Sequence, residues 1–365
     1  VHTAIISDLH LGSGADEDLL RDAEIRRTLL AEIAAADRLV LLGDVLELRE
    51  LPLPAVLDAA RPFFEELGET MAGRPVLLVP GNHDHRLAEP LLEGGALEGR
   101  RLGLEQRSDP AGEATTLIAA WLGDAELEIA YPGAWLRDDV YATHGHYMDC
   151  HMSLPRLECV VAAASMRVFG SLPARTRPAE YERVLQPVYG LTFSLAQARL
   201  AGRASRPSER VWQTISGRNG RRVRRAALRA GIPTSVWVLN RLLRAGFDPD
   251  LSGAAISQSG IDAATEMSGR LAIEAEHVIT GHTHRAGPVP GEAEWALPGG
   301  GRLHNTGSWV FADAFHHPGY PPGPFWPGTV TWLEDEGPPR RVQLLIERTH
   351  DELKRRRSLS KASPR

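Results

Sequence analysis

Five short stretches of this 365-residue chain carry side chains that bind metals or move protons. They are Asp8-Leu9-His10, Gly43-Asp44, Gly81-Asn82-His83-Asp84, His144-Gly145-His146 and Gly281-His282-Thr283-His284. Six of the fourteen histidines fall in them, whereas solvated surface histidines would be scattered. No cysteine lies among them, which disfavours a closed structural zinc site. Carboxylate, amide oxygen and imidazole suit manganese, iron or zinc, and magnesium less well. Asp8, His10, Asp44, Asn82, His83, His144, His282 and His284 exceed what one ion needs. Two divalent ions ~3.5–4 Å apart would use them, with one carboxylate shared. Such a pair clamps an in-line displacement at phosphorus and makes hydroxide available from a bridging water near neutral pH.

Each stretch ends a short apolar run: Ala4-Ile5-Ile6, Leu39-Val40-Leu41-Leu42, Val76-Leu77-Leu78-Val79, Val140-Tyr141-Ala142-Thr143 and His277-Val278-Ile279-Thr280. Such runs read as buried strands, and sites of α/β proteins gather at the carboxyl ends of strands. Helical periodicity over about 16–36 and 55–71 separates the first three, so the sheet is expected to be partly parallel. Leu127–Ala130 and Val140–Thr143 read as neighbouring strands joined through Pro132-Gly133. A helix over about 261–275 precedes the last of the five. A strand carrying His304 to Ser308 and closing strands at 329–333 and 342–346 follow.

Residues 151–255 break the alternation. Strand signals vanish, helical ones dominate, and prolines from Pro155 to Pro233 cut the stretch into several helices. An inserted helical subdomain or cap is expected there, between core segments 1–150 and 256–350. Residues 351–365, opening into Lys354-Arg355-Arg356-Arg357, read as a disordered basic tail. Twelve arginines against one acid, Glu209, lie between Arg199 and Arg244. On a helix Arg218, Arg221, Arg222 and Arg225 share a face. Either this is a solvated basic helix, or Arg221, Arg222 and Arg225 hold a second substrate phosphate or an anionic surface.

The formal net charge of -6 calls for no nucleic acid. Cys150 and Cys159 make no disulfide framework. No apolar run reaches the ~18 residues of a membrane span, which leaves peripheral contact through the insert open. No signal peptide is visible, and a cytoplasmic location is the default expectation. Nothing fixes the oligomeric state.

Taken together and in this order, the five stretches resemble the signature of the calcineurin-like metallophosphoesterases, over about residues 2–150 and 258–347. The resemblance implies a two-sheet β-sandwich flanked by helices (αββα), with the helical subdomain inserted. It also implies roles. Asp8, His10, Asp44 and His284 would hold one metal, and Asn82, His144 and His282 the other, with Asp44 bridging. His83 would contact the phosphate beside Asn82 and assist the leaving oxygen. Glu47 would orient His83. Asp84 would be structural or support the ligands from behind. His146 is left between the metal edge, the substrate and a plain turn. Asn305 and Ser308 are expected to be structural, as are His85, His151, His316, His317 and Cys150.

The function expected is hydrolysis of a phosphate ester or anhydride in a small molecule or nucleotide. One alternative is a lipid-linked nucleotide pyrophosphohydrolase similar to UDP-diacylglucosamine pyrophosphohydrolases. Those typically carry arginine where this chain has His83. Another is a binding scaffold that has lost its chemistry, which the full set of ligand positions argues against.

Overall fold

A computed structural model describes residues 1–14, 17–198, 222–312 and 322–360, and the five apolar runs are strands in it. Strands β1 (Thr3–Ile6), β2 (Arg38–Leu41) and β3 (Pro75–Leu78) are mutually parallel. β4 (Glu105–Ser108) is a short edge strand on β5 (Glu126–Arg137). β6 (Val140–Thr143) and β7 (His277–Thr280) are parallel, with β8 (Trp295–Ala296) and β9 (Arg302–Asn305) beyond them. β10 (Thr329–Leu333) and β11 (Arg340–Gln343) add antiparallel strands beside β1.

Strand β5 joins two layers. Its residues Glu126–Ile129 pair with β3, and Gly133–Arg137 pair with β6. Side-chain alternation then builds three apolar layers. Ile5, Val40, Leu77, Ala134, Ala142 and Ile279 meet between the two layers of strands. Ala4, Ile6, Leu39, Leu41, Val76 and Leu78 face the other way, against helices α1 (Ala23–Ile33) and α2 (Leu53–Thr70). Tyr141, Val278 and Leu303 face the opposite outer side, against the inserted helices. This is the expected α/β sandwich flanked by helices.

Local chemistry moves several expected boundaries. The first helix starts at Ala23 and not near residue 16, because the Asp22 carboxylate caps it by accepting from Glu24 N and Ile25 N. Pro132 and Gly133 lie inside β5 and not in a turn; the hairpin turns at Asp138 and Asp139. Gly133 is required by close approach, since a Cβ there would strike the Tyr141 hydroxyl and the Ala142 carbonyl of β6. Helices α3 (Glu89–Leu97) and α4 (Glu113–Leu122) complete the first half.

The stretch expected to be an insert contains α5 (Leu157–Phe169), α6 (Pro178–Gln197) and α7 (Arg222–Leu243). Helix α8 (Gly253–Arg270) begins eight residues before the expected start, capped by Ser252, whose Oγ accepts from Ala255 N. The expected core boundary at residue 256 therefore falls inside a helix. The basic tail, expected to be disordered, is helical over α9 (His350–Ser360), with Leu353 buried. Residues 361–365, His316 and His317 lie outside the described residues. No helix among the described residues is long and apolar enough to cross a membrane.

Candidate metal centre

The strand order places β1, β2, β3, β6 and β7 close together, so their carboxyl ends deliver Asp8, His10, Asp44, Asn82, His83, His144, His282 and His284 to one spot. The backbone bends sharply there. Asp8, His10, Asp44, His282 and His284 all take left-handed φ, from 45° to 66°. Such a conformation costs of order 1–3 kcal/mol per non-glycine residue and persists where side chains must be aimed. Gly81 is imposed by the same crowding: a Cβ there would collide with the Asp44 carboxylate.

Hydrogen bonds fix which ring atom of each histidine faces inward. His144 Nδ1 lies 2.9 Å from the Leu42 carbonyl, so it donates there and Nε2 points 3.2 Å from Asp44 Oδ2. Glu47 Oε2 receives His10 Nδ1 at 2.9 Å and His83 Nδ1 at 2.6 Å. That leaves His10 Nε2 3.1 Å from His284 Nε2 and 3.7 Å from Asp44 Oδ2. His282 donates from Nε2 to Asp149 Oδ1 at 2.9 Å, and its Nδ1 faces Asn82 Oδ1 at 3.1 Å. Asp8 Oδ2 accepts from Ser7 Oγ and from His282 N, while Oδ1 lies 3.3 Å from His284 Nε2. Asp84 accepts from Gly81 N, Asp44 N, Val45 N and Leu46 N, so it ties two ligand loops together. Asn305 donates to the Gly281 carbonyl behind the last stretch, the structural role expected of it.

The donor atoms fit divalent cations. Ligand atoms of Asp8, His10 and His284 lie within 4.8 Å of one another, as do those of Asp44, His144 and His282. Asp44 also groups with His10 and His83, so it faces both nests. Asp8 Oδ1 and His144 Nε2 are buried and face other candidate ligands, His284 Nε2 and Asp44 Oδ2, without a well-formed hydrogen bond, an arrangement disfavoured unless something else satisfies them. Neither free cysteine belongs to these groups.

Neighbouring carboxylates favour the protonated form of two of these histidines. Burial opposes charge on His10, yet the Glu47 hydrogen bond and the Asp44, Glu47 and Asp8 charges raise it to about 9. Burial is likewise overcome at His144 by Asp44, which raises it to about 10. Both imidazoles are therefore protonated at neutral pH and must lose those protons to bind metal. Metal uptake by the apo protein at pH 7.5 is expected to release about two protons from this pair, with affinity rising as pH rises toward 9. Calorimetry in buffers of different ionisation heat measures this, and metal binding with no proton release would contradict the assignment.

Residues 1–166 match the family described as calcineurin-like phosphoesterase. Over those residues the chain is similar to that family. The match includes Asp8, His10, Asp44, Asn82, His83 and His144. His282 and His284 lie beyond it and reach the same cluster through the fold. No protein of curated function matches the chain significantly. Among solved structures it resembles a dimetal phosphatase from Danio rerio, at 11% identity, covering 94% of this chain and 98% of that one, with a TM-score of 0.34. It also resembles a cold-active protein-tyrosine phosphatase from a psychrophilic Shewanella, at 13% identity, covering 94% and 80%, with a TM-score of 0.28.

Three parts of the candidate site carry no motif signal in the sequence. Asp149 holds His282 across a separation of 133 residues, and Ser7 holds Asp8. Arg49 places Nη1 3.1 Å from His83 Nε2 and Nη2 3.4 Å from Glu158. Position alone offered a hint for Asp149 and Arg49, each a few residues past a ligand stretch. Asp149→Ala is expected to lower metal affinity about 10–100-fold, because His282, a candidate ligand, loses the partner that orients it. Titration of the apo variant with manganese checks this, and an unchanged affinity would remove Asp149 from the site.

Other expectations fare differently. His146 is buried, its Nε2 lies 3.0 Å from the Tyr131 hydroxyl, and it does not line the cleft in front of Asn82 and His83. Its Nδ1 is buried with no hydrogen-bond partner. Arg221 lies outside the described residues, and for Arg222 and Arg225 only the helical backbone of α7 is described.

Proposed function

We propose that the chain is a dinuclear metal-dependent phosphoester hydrolase acting on a small phosphorylated molecule or nucleotide. One observation carries the reading. A single buried carboxylate oxygen, Asp44 Oδ2, is faced by His144, His10 and His83 at 3.2, 3.7 and 3.9 Å, with two nests of ligand atoms on either side. Asp8, His10, Asp44 and His284 would hold one ion, and Asp44, Asn82, His144 and His282 the other. When bound, such a pair polarises a phosphoryl group and supplies a nucleophile at neutral pH.

The chain's own residues do the rest. His83 is held by Glu47 at Nδ1 and by Arg49 at Nε2, and Nε2 is the atom that would exchange Arg49 for the substrate. In its protonated form that nitrogen donates to the leaving oxygen or to charge developing on it. Asp149 and Glu47 hold ligand rings in place, so little reorganisation is needed at the moment of reaction.

The test is a screen of metal-stripped and manganese-, iron- or zinc-reconstituted protein. It covers p-nitrophenyl phosphate, bis-p-nitrophenyl phosphate, cyclic nucleotides and nucleotide diphosphate conjugates. Turnover that appears only with metal is expected; turnover equal in the stripped protein would refute the proposal.

A second reading, a lipid-linked nucleotide substrate, draws support from the insert. Val168, Leu191, Trp237 and Leu242 expose 76, 59, 62 and 66% of their surface on its helices. Exposed apolar side chains on a cap suit an acyl-bearing substrate. Faster turnover of an acylated nucleotide conjugate than of its deacylated form would favour that reading.

A further inference from the structure

Helix α6 of the insert lies across the Asn82-His83-Asp84-His85 loop. Glu182 on that helix latches it down. Its carboxylate accepts from the Tyr131 and Tyr147 hydroxyls and lies 2.9 Å from His85 Nε2. Two turns further on, the same helical face carries Tyr189. The Tyr189 ring packs between His85 and His146, with ring centroids 5.0 and 5.7 Å away. Its position is therefore set on both sides.

Tyr189 is only 7% exposed, and its hydroxyl is buried with no hydrogen-bond partner. A buried hydroxyl left unpaired is costly, so its presence calls for a partner that comes and goes. Tyr189 lines a cleft whose walls include Asn82, His83, Arg49 and Arg86. Glu89, also on the wall, is taken up by an ion pair with Arg86. Arg49 is paired in turn with Glu158, and both guanidinium groups keep further N–H donors that suit an anion. Burial, with the Asp149 and Glu182 charges, pushes the phenol well above its ordinary value, so it keeps its proton.

We propose that the Tyr189 hydroxyl donates a hydrogen bond to a phosphoryl oxygen of the substrate, making the inserted helix a wall of the phosphate subsite. The inference rests on the phosphoesterase reading above and adds a substrate-contacting residue to it. It places recognition of the phosphoryl group partly on the insert.

Tyr189→Phe keeps the ring and its packing and removes only the unpaired hydroxyl. In manganese-loaded full-length protein, the inhibition constant for inorganic phosphate is expected to rise about 10- to 100-fold, the range for a lost hydrogen bond to a charged group. KM for p-nitrophenyl phosphate should rise or kcat/KM fall to a similar extent. The increase in Tm produced by phosphate should shrink, while metal content stays the same and the Tm without phosphate stays level or rises. An unchanged inhibition constant, with wild-type protein active, would overturn the proposal. A lower Tm without phosphate, with an unchanged phosphate-induced shift, would make Tyr189 a packing residue and overturn it as well. If the wild-type protein neither hydrolyses the aryl phosphate nor responds to phosphate in Tm, the phosphoesterase reading itself falls and this inference falls with it.

Discussion

Asp44→Asn is expected to keep the fold and to lose both metal ions together with measurable turnover. The Asp44 Oδ1 contact to His83 N, at 2.8 Å, needs only an acceptor, and an amide oxygen can replace it. The other oxygen cannot be replaced. Oδ2 sits among the His144, His10 and His83 imidazoles, and a neutral amide supplies no negative charge to share between two cations. The His144 charge holds the Asp44 carboxyl well below its ordinary value against the opposing effect of burial, so it is fully ionised across the working pH range. Losing the charge forfeits several kcal/mol of transition-state stabilisation, about 10³-fold or more in rate. Elemental analysis beside a rate assay reads the outcome. An active variant holding two ions tightly would dismiss the bridging role.

His83→Ala should separate chemistry from metal binding. Its ring meets Glu47 through Nδ1 and Arg49 through Nε2, so both nitrogens are engaged outside the two ligand nests. Removing it is expected to leave two ions in place and lower kcat by ~10²–10⁴, the range for a lost general acid or charge stabiliser. A collapse of metal content would instead make His83 a ligand, through its grouping with His10 and Asp44.

The strand ends that carry the candidate ligands were legible in the sequence for a simple reason. Each stretch follows an apolar run, and runs such as Val76 to Val79 can only be buried strands in this context. Strand ends in a partly parallel sheet must then meet. What holds the ligands was not legible, because those contacts join distant segments: Asp149 to His282, and Glu182 to His85 and Tyr131. Pro132-Gly133 carries the dipeptide signal of a turn, yet Gly133 serves close packing against Tyr141 inside β5. β4, Glu105-Gln106-Arg107-Ser108, is a polar edge strand with no apolar alternation to reveal it. The basic tail read as disordered because its charge run hid Leu353, whose burial fixes the start of helix α9.

Anomalous diffraction from crystals grown with manganese tests the central claim most directly. Two peaks ~3.5–4 Å apart are expected. One should lie among Asp8, His10 and His284 and the other among Asn82, His144 and His282, with the Asp44 carboxylate between them. A single peak, or occupancy only at the outlying group of Asp139, Glu276 and His277, would contradict the dinuclear centre.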